Sequence, residues 1–255
     1  MDRADLERPR AREIRAELDA LVLDLRRRGL SPSNWYGGID YGDIAAFERA
    51  NRGPDYEPLP DAADDERFPW FLYWEIAWLV MHNSFEPGQR LLDLGGSSSL
   101  FSCYLASKGV EVVAVDLNPE LAARGNELAA AGGWPLRNLV MDMRRLDAAE
   151  LGGPFDHVTS VCVLEHIPLS GRIDVGGQVR SLLADGGSFS ITFDYLNPAP
   201  TARIDSPEDV SEQFVEPSGL ALRGNSDFRD NGLRYLRHPS FPGGYTFGVL
   251  FQERG

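Results

Sequence analysis

The stretch Leu91-Leu92-Asp93-Leu94-Gly95-Gly96-Ser97-Ser98-Ser99-Leu100 carries the clearest chemical signal in the sequence. An apolar run ending in an acid, two glycines and small hydroxyl residues predicts a strand, a tight turn and the start of a helix. In an open α/β sheet such a turn lies at the carboxyl end of its strand, where ligands bind. Gly95 and Gly96 let backbone approach a ligand that a side chain would hold off. A second apolar run, Val112 to Val115, ends in Asp116. A carboxylate there is an acceptor matched to the two hydroxyl donors of an adenosine ribose. The expected ligand is therefore adenosine-like. It is not expected to carry phosphate: the dinucleotide pattern G-x-G-x-x-G needs glycines where the register gives Ser97 and Leu100. Asp93, two residues before Gly95, would also repel a pyrophosphate, and the chain's only lysine, Lys108, is far from the turn.

Groups able to move a proton above such a ligand must follow the fourth and fifth strands. Glu165 and His166 follow one; Asp194 and Tyr195 follow the other. His166 is the candidate base, because imidazole titrates nearest neutrality. The competing reading makes Leu164-Glu165-His166 a turn whose polar groups bind backbone or ligand. Glu165 reads first as a structural or ligand-side carboxylate rather than a catalyst, and Asp194 equally well as a substrate contact or a loop cap. His82, His157 and His238 read as a helix end, a strand start and a surface loop residue. The aromatic run Trp70 to Trp78 is first of all core, with Glu75 as a lone acid in it. Glu75 either meets an ammonium group of the ligand or lies on an exposed helix face. Cys103 and Cys162 fall in a predicted helix and a predicted core strand, so buried thiols are expected rather than a disulfide or a metal site.

The elements that must hold these groups alternate from Arg90 onward. Strands are predicted at 91–94, 111–116, 137–141, 157–163 and 188–193, and helices at 100–108, 119–130 and 173–183. This alternation predicts a doubly wound, mostly parallel sheet. The tail breaks it with a short helix near 208–214 and strands near 220–223 and 245–252, expected to pair antiparallel at the sheet edge. Ahead of the sheet lie an amphipathic helix over 4–28, an irregular, partly helical stretch over 31–67 and a helix from Trp70 to Asn83.

Taken in order, these motifs resemble the class I (Rossmann-like) S-adenosylmethionine-dependent methyltransferase family over roughly residues 70–255. Leu91 to Ser99 resembles its first motif, with Ser97 and Ser99 standing where two glycines are usual. Val112 to Asp116 resembles the acidic end of the second strand. Asp142-Met143 sits where the family places an acid near the adenine amino group. Phe155 to Ile167 resembles the fourth strand with its "LEH" ending, and Leu182 to Asp194 the Gly-Gly turn and fifth strand. The resemblance implies a seven-stranded sheet of order 3-2-1-4-5-7-6, with residues 1–86 as a helical cap and 87–255 as the cofactor-binding domain. It implies S-adenosylmethionine as cofactor, a ligand with an ammonium and a sulfonium and no phosphate, which suits Asp93. The residues expected to contact it are Asp93, Gly95, Gly96, Ser97, Asp116, Leu117, Asp142, Met143, Val163 and Glu75. His166 and Asp194 are the candidate catalytic residues, and no metal is expected. The leading expectation is methylation of an oxygen or nitrogen of a small metabolite. RNA or protein methylation, a catalytically silent binding protein and a nicotinamide-dependent oxidoreductase are the alternatives.

Composition bounds the rest. With 43% hydrophobic and 25% charged residues, the 255-residue chain has the make-up of a soluble globular enzyme. A net charge of −14 opposes a phosphate backbone, so no nucleic-acid partner is expected. Arg26-Arg27-Arg28 is the one basic run, and residues 1–30 hold eight arginines against seven acids, the pattern of a solvated helix. No apolar run approaches the roughly 20 residues of a membrane span, and the charged N-terminus does not read as a signal peptide. Cytoplasmic residence is the expectation; the oligomeric state is not legible.

Overall fold

The alternation of apolar residues along the strands already assigns them to two faces. In β1 (Arg90–Leu94) and β2 (Glu111–Asp116), Leu91, Val112 and Ala114 join one buried cluster, while Leu92, Leu94, Val113 and Val115 join the other. Both faces are therefore covered, as a parallel sheet requires. The structure is a computed structural model that describes residues 1–35, 50–57, 68–198, 202–224, 228–238 and 241–255. The expectations over 36–49 and for the acidic stretch Asp61 to Glu66 fall outside the described residues.

Strand β1 lies between β2 and β4 (Phe155–Val161), β3 (Leu136–Val140) flanks β2, and β5 (Leu183–Tyr195) flanks β4, all parallel. Beyond β5 the last strand, β8 (Phe241–Glu253), runs antiparallel, and β6 (Ala221–Leu222) pairs antiparallel with its end. The order is β3-β2-β1-β4-β5-β8-β6. This is the expected arrangement, except that a short strand, β7 (Leu236–His238), pairs with β8 and makes the final strand the eighth in sequence. His238 consequently ends a strand rather than sitting in an open loop.

Helix α1 (Pro9–Arg27) buries Ile14, Leu18, Val22 and Leu25 on one face. Full burial of such side chains contributes about 1.5–3 kcal/mol each. Arg26 and Arg27 occupy its last turn, where cations suit the helix dipole, and Gly29 (φ 70°) follows its end. Arg27 and Arg28 both reach Asp24, so the arginine run is indeed a charge-paired helix end. Helix α2 (Trp70–His82) is apolar around most of its circumference, with every residue from Trp70 to Ala77 buried. It packs between α1 and the sheet. Helices α3 (Leu100–Ser107) and α4 (Pro119–Gly132) follow β1 and β2; α6 (Leu169–Leu182), after a single turn α5 (Ala148–Leu151), covers the opposite face.

Candidate active site at the strand carboxyl ends

The carboxyl ends of β1, β2, β4 and β5 open onto a cleft of about 550 Å³. Its walls include Asp93, Gly95, Gly96, Asp116, Val163, His166 and Asp194 from the expected set. The sequence reading did not anticipate Ser33, Asn34, Trp35, Cys162, Asn197 and Tyr245 there.

The turn is fixed from within. Asp93 is buried; its two carboxylate oxygens accept from Ser102 Oγ (2.7 Å) and Thr159 Oγ1 (3.0 Å). Burial pushes its pKa up to about 6 despite those donors. A Cβ on Gly96 would stand 1.8 Å from Asp93 Oδ2, so the acid and the glycine require each other. Gly95 has φ 79°, and its Cβ would meet Val163 Cγ1 at 2.5 Å. Both glycines are thus demanded by the turn itself, before any ligand is considered. The serines also have distinct tasks. Ser99 caps α3, accepting from Ser102 N at 3.0 Å. Ser98 adopts φ 61° and is held there by Ser33, whose N–H donates to its carbonyl (2.7 Å) and its Oγ (2.9 Å). Ser97 is buried with an Oγ that has no partner among the described residues. We expect Ser99→Ala to cost about 1 kcal/mol through the lost cap. Thermal melting should show a drop of roughly 2–4 °C for a chain of this size; an unchanged midpoint would remove the capping role.

Asp116 closes β2 at the cleft edge, its Oδ1 accepting from Asn118 N at 2.8 Å and burial raising its pKa. Leu117 beside it is exposed. Asp142 and Met143 are not among the cleft's lining residues: the Asp142 carboxylate is gripped by Arg144 at 2.6 Å, and Met143 is buried in the cluster on the far face.

Strand β4 ends at Val161, two residues earlier than expected, which moves Cys162 out of the strand interior and into the cleft wall with φ 48°. Its Sγ donates to Glu75 Oε1 at 2.7 Å. Glu75 is fully buried, not on an exposed helix face, and Trp35 Nε1 also donates to it at 3.4 Å. Trp35 in turn packs edge-on to Phe71 and Phe247. Burial drives the Glu75 pKa up to about 8, so this carboxyl is protonated through neutrality.

Two further buried acids face each other beyond Cys162. Glu165 Oε1 accepts the Asp194 backbone N–H at 2.8 Å, and Asp194 Oδ2 accepts from Asn197 Nδ2 at 2.5 Å. Glu165 Oε2 and Asp194 Oδ1 have no partner among the described residues. His166 is half exposed, with Nε2 3.8 Å from Asp194 and 3.9 Å from Glu165. Burial raises the pKa of both acids, and the Glu165 charge raises that of Asp194 further. Such a histidine flanked by carboxylates can take a proton and have the resulting charge balanced.

These raised values fix a pH dependence. A carboxyl whose folded pKa lies above its unfolded value makes the folded chain bind more protons between the two. The corresponding stability is fully present below about pH 4 and is lost as pH rises towards the Glu75 value of about 8. Glu75→Gln should flatten the fall in melting temperature across this window. An equal fall in the variant would show that Glu75 does not titrate there.

Residues 91–187 match the family model described as a methyltransferase domain. The ubiquinone biosynthesis O-methyltransferase of Xanthomonas campestris pv. campestris (strain B100) is 37% identical over 150 residues, covering 53% of this chain and 60% of the relative. That of Pseudomonas aeruginosa (strain LESB58) is 26% identical over 201 residues, covering 75% and 76%. The chain thus spans about 60% of the length of the first of these curated relatives. Among solved structures, magnesium protoporphyrin IX methyltransferase from Synechocystis PCC 6803, with bound SAM, aligns over 100% of this chain and 98% of its own at TM-score 0.51 and 18% identity. TehB from Haemophilus influenzae aligns over 71% and 62% at TM-score 0.52 and 16% identity. At these identities the structural likeness speaks for the fold.

Proposed function

We propose that the chain is a class I S-adenosylmethionine-dependent methyltransferase that methylates an oxygen or nitrogen of a small molecule held in the cleft at the strand carboxyl ends. The observation that carries this reading is the meeting, in one cleft, of a glycine turn and a proton-accepting group: Gly95, Gly96 and Asp116 line it together with His166 and Asp194. The residues present fit the cofactor. Gly95 and Gly96 bring bare backbone to the cleft, and Asp116 in its wall offers an acceptor-only group to a ribose diol; Ser97, expected beside them, is buried outside the cleft lining.

When bound, the sulfonium supplies an activated methyl group and a neutral thioether leaving group. What the chain must add is modest. Asp116 and the turn hold the cofactor, while Trp35 and Leu72 close the cleft against water. His166 accepts the proton of an acceptor that carries one, and Glu165 and Asp194 offset the imidazolium charge at 3.9 and 3.8 Å. In this reading residues 1–86 act as a cap over the cofactor domain formed by 87–255. Ser33, Asn34 and Trp35 in the cleft wall support that division.

The relatives' printed name, O-methyltransferase, and the modest cleft volume favour a small acceptor over a macromolecule. No helix among the described residues is long and apolar enough to cross a membrane. The test is release of S-adenosylhomocysteine over a panel of phenols, catechols and amines, against RNA and protein mixtures as competitors for the assignment. Turnover confined to macromolecules would overturn the small-molecule reading.

A further inference from the structure

Resting on the methyltransferase reading above, we infer that the acceptor is a small amine that enters as a cation and is recognised by Asp194, with the buried Glu165, hydrogen-bonded to the Asp194 backbone, as the second acid of the pair. Three observations carry this. First, both carboxylates are essentially inaccessible, yet Glu165 Oε2 and Asp194 Oδ1 have no hydrogen-bond partner among the described residues. Buried polar atoms are almost always paired; of the two acids Asp194 lines the cleft, so its orphaned oxygen marks a missing donor there. Second, no lysine or arginine side chain among the described residues hydrogen-bonds to their carboxylates, and the base beside them is His166. None of the described residues lining the cleft is a lysine or arginine. The nearest guanidinium, Arg172, spends its donors elsewhere: on the backbone carbonyls of Glu165 and Ile167 and on the Gln213 side chain. An acceptor bearing a carboxylate or phosphate at this wall would bring a further negative charge to a place where burial already disfavours the ionised acids. Third, Asp194 shares the cleft with the glycine turn and stands 3.8 Å from His166 Nε2, so a ligand cation held there lies beside the candidate base.

A metal ion is the rival occupant, because Cys162, Glu165 and Asp194 bring one ligand atom each within 4.8 Å of one another. The sulfur argues against it. Cys162 Sγ is engaged as a donor to Glu75 Oε1 at 2.7 Å, and burial together with the surrounding acids pushes its pKa upward. A metal there would have to displace the thiol proton and break the bond to Glu75, while Glu165 Oε1 is already held by the Asp194 backbone N–H. An ammonium group brings up to three donors to those two open acceptors.

The step balances simply. The bound R–NH3+ gives one proton to the Glu165–Asp194 pair, directly or through His166, and becomes a neutral amine. Its lone pair forms the nitrogen–carbon bond while the carbon–sulfur bond breaks, the electrons of that bond remaining on sulfur. The products are R–NH2+–CH3, S-adenosylhomocysteine and an acid pair that carries one more proton than before. The pair therefore serves twice, as the counter-charge that selects the amine and as the sink for its proton.

The experiment uses the full chain saturated with S-adenosylhomocysteine. Calorimetry compares a panel of alkyl and arylalkyl amines, each with its alcohol and carboxylate counterpart. We expect each amine that binds to do so at least tenfold more tightly than its alcohol, with the carboxylates weaker still. Asp194→Asn should erase that preference while leaving S-adenosylhomocysteine affinity unchanged. Equal or better binding of alcohols or carboxylates, or an amine panel that fails to bind, overturns the inference. So does an Asp194→Asn variant whose loss falls on cofactor affinity, because the acids would then serve the cofactor's charge. A stoichiometric metal that is lost on Glu165→Gln substitution overturns it as well. S-adenosylmethionine binding is measured first, so that its absence would count against the methyltransferase reading and not against the amine.

Discussion

Asp116→Ala should weaken S-adenosylmethionine binding by at least tenfold. The carboxylate closes β2 at the cleft edge and presents only acceptors to a diol that presents two donors. Hydrogen bonds to a charged group contribute about 1.5–3 kcal/mol each, so losing one such bond already reaches that factor. One confounding effect must be separated: Asp116 Oδ1 also accepts the Asn118 N–H, shaping the turn into α4. Asp116→Asn keeps an oxygen for that bond and removes the charge. The alanine variant should therefore lose affinity through both effects and the asparagine variant through the ribose contact alone. Calorimetry on both, with melting temperatures as the control for folding, decides the matter. An unchanged dissociation constant in a folded alanine variant would take Asp116 out of the cofactor site.

How much of this site could be read from the sequence depended on the range of the interactions involved. The strand, glycine turn and helix of residues 91–107 were legible because each is set by neighbours along the chain. Asp93 and Gly96 constrain each other across three positions, and Ser99 caps its own helix. The order of the parallel strands was carried by a resemblance, not by periodicity, and it stands with one short strand added at the edge. The departures from family glycines at Ser97 and Ser99 looked like losses of backbone freedom. In the fold, the residue that needs a positive φ is Ser98, and a contact from Ser33, 65 positions away, stabilises it there. No local pattern could have signalled that.

The acid cluster shows the same limit from the other side. Glu75, Glu165 and Asp194 were each noticed singly, and each had a plausible bland reading. What makes them chemically unusual is their joint burial around Cys162, from a helix and two strand ends separated by 119 positions between the first and last. The position of Cys162 turned on whether β4 ended at residue 161 or 163, a difference that apolar runs do not resolve. Trp35 entered the site from a stretch that reads as irregular, through ring packing on Phe71 and Phe247. A lone acid within an aromatic helix was the one sequence signal that pointed towards this arrangement. Its consequence, a carboxyl protonated at neutrality, depends on burial that only the assembled fold supplies.

His166→Ala should lower turnover by about 10²–10⁴-fold once an acceptor is in hand, the usual size of general-base assistance. The geometry makes the imidazole the mobile member of the group: it is half exposed, lines the cleft, and keeps its Nε2 within 4 Å of two buried carboxylates. Those carboxylates cannot themselves reach far, since Glu165 is anchored by the Asp194 backbone and Asp194 by Asn197. His166 is therefore the expected first acceptor of a proton leaving the acceptor, with the acids balancing the charge it gains. Cofactor affinity should change little in the variant, and the pH–rate profile should lose its ascending limb. Kinetics decide between two further cases. If turnover falls less than threefold and the ascending limb persists, the proton goes straight to the Glu165–Asp194 pair. Asp194→Asn should then carry the large loss in turnover, and His166 would be only the turn that follows β4. If both single variants lose activity to a similar extent, and the double variant loses little more, the imidazole and the carboxylate act as one proton-accepting unit, as their 3.8 Å separation suggests.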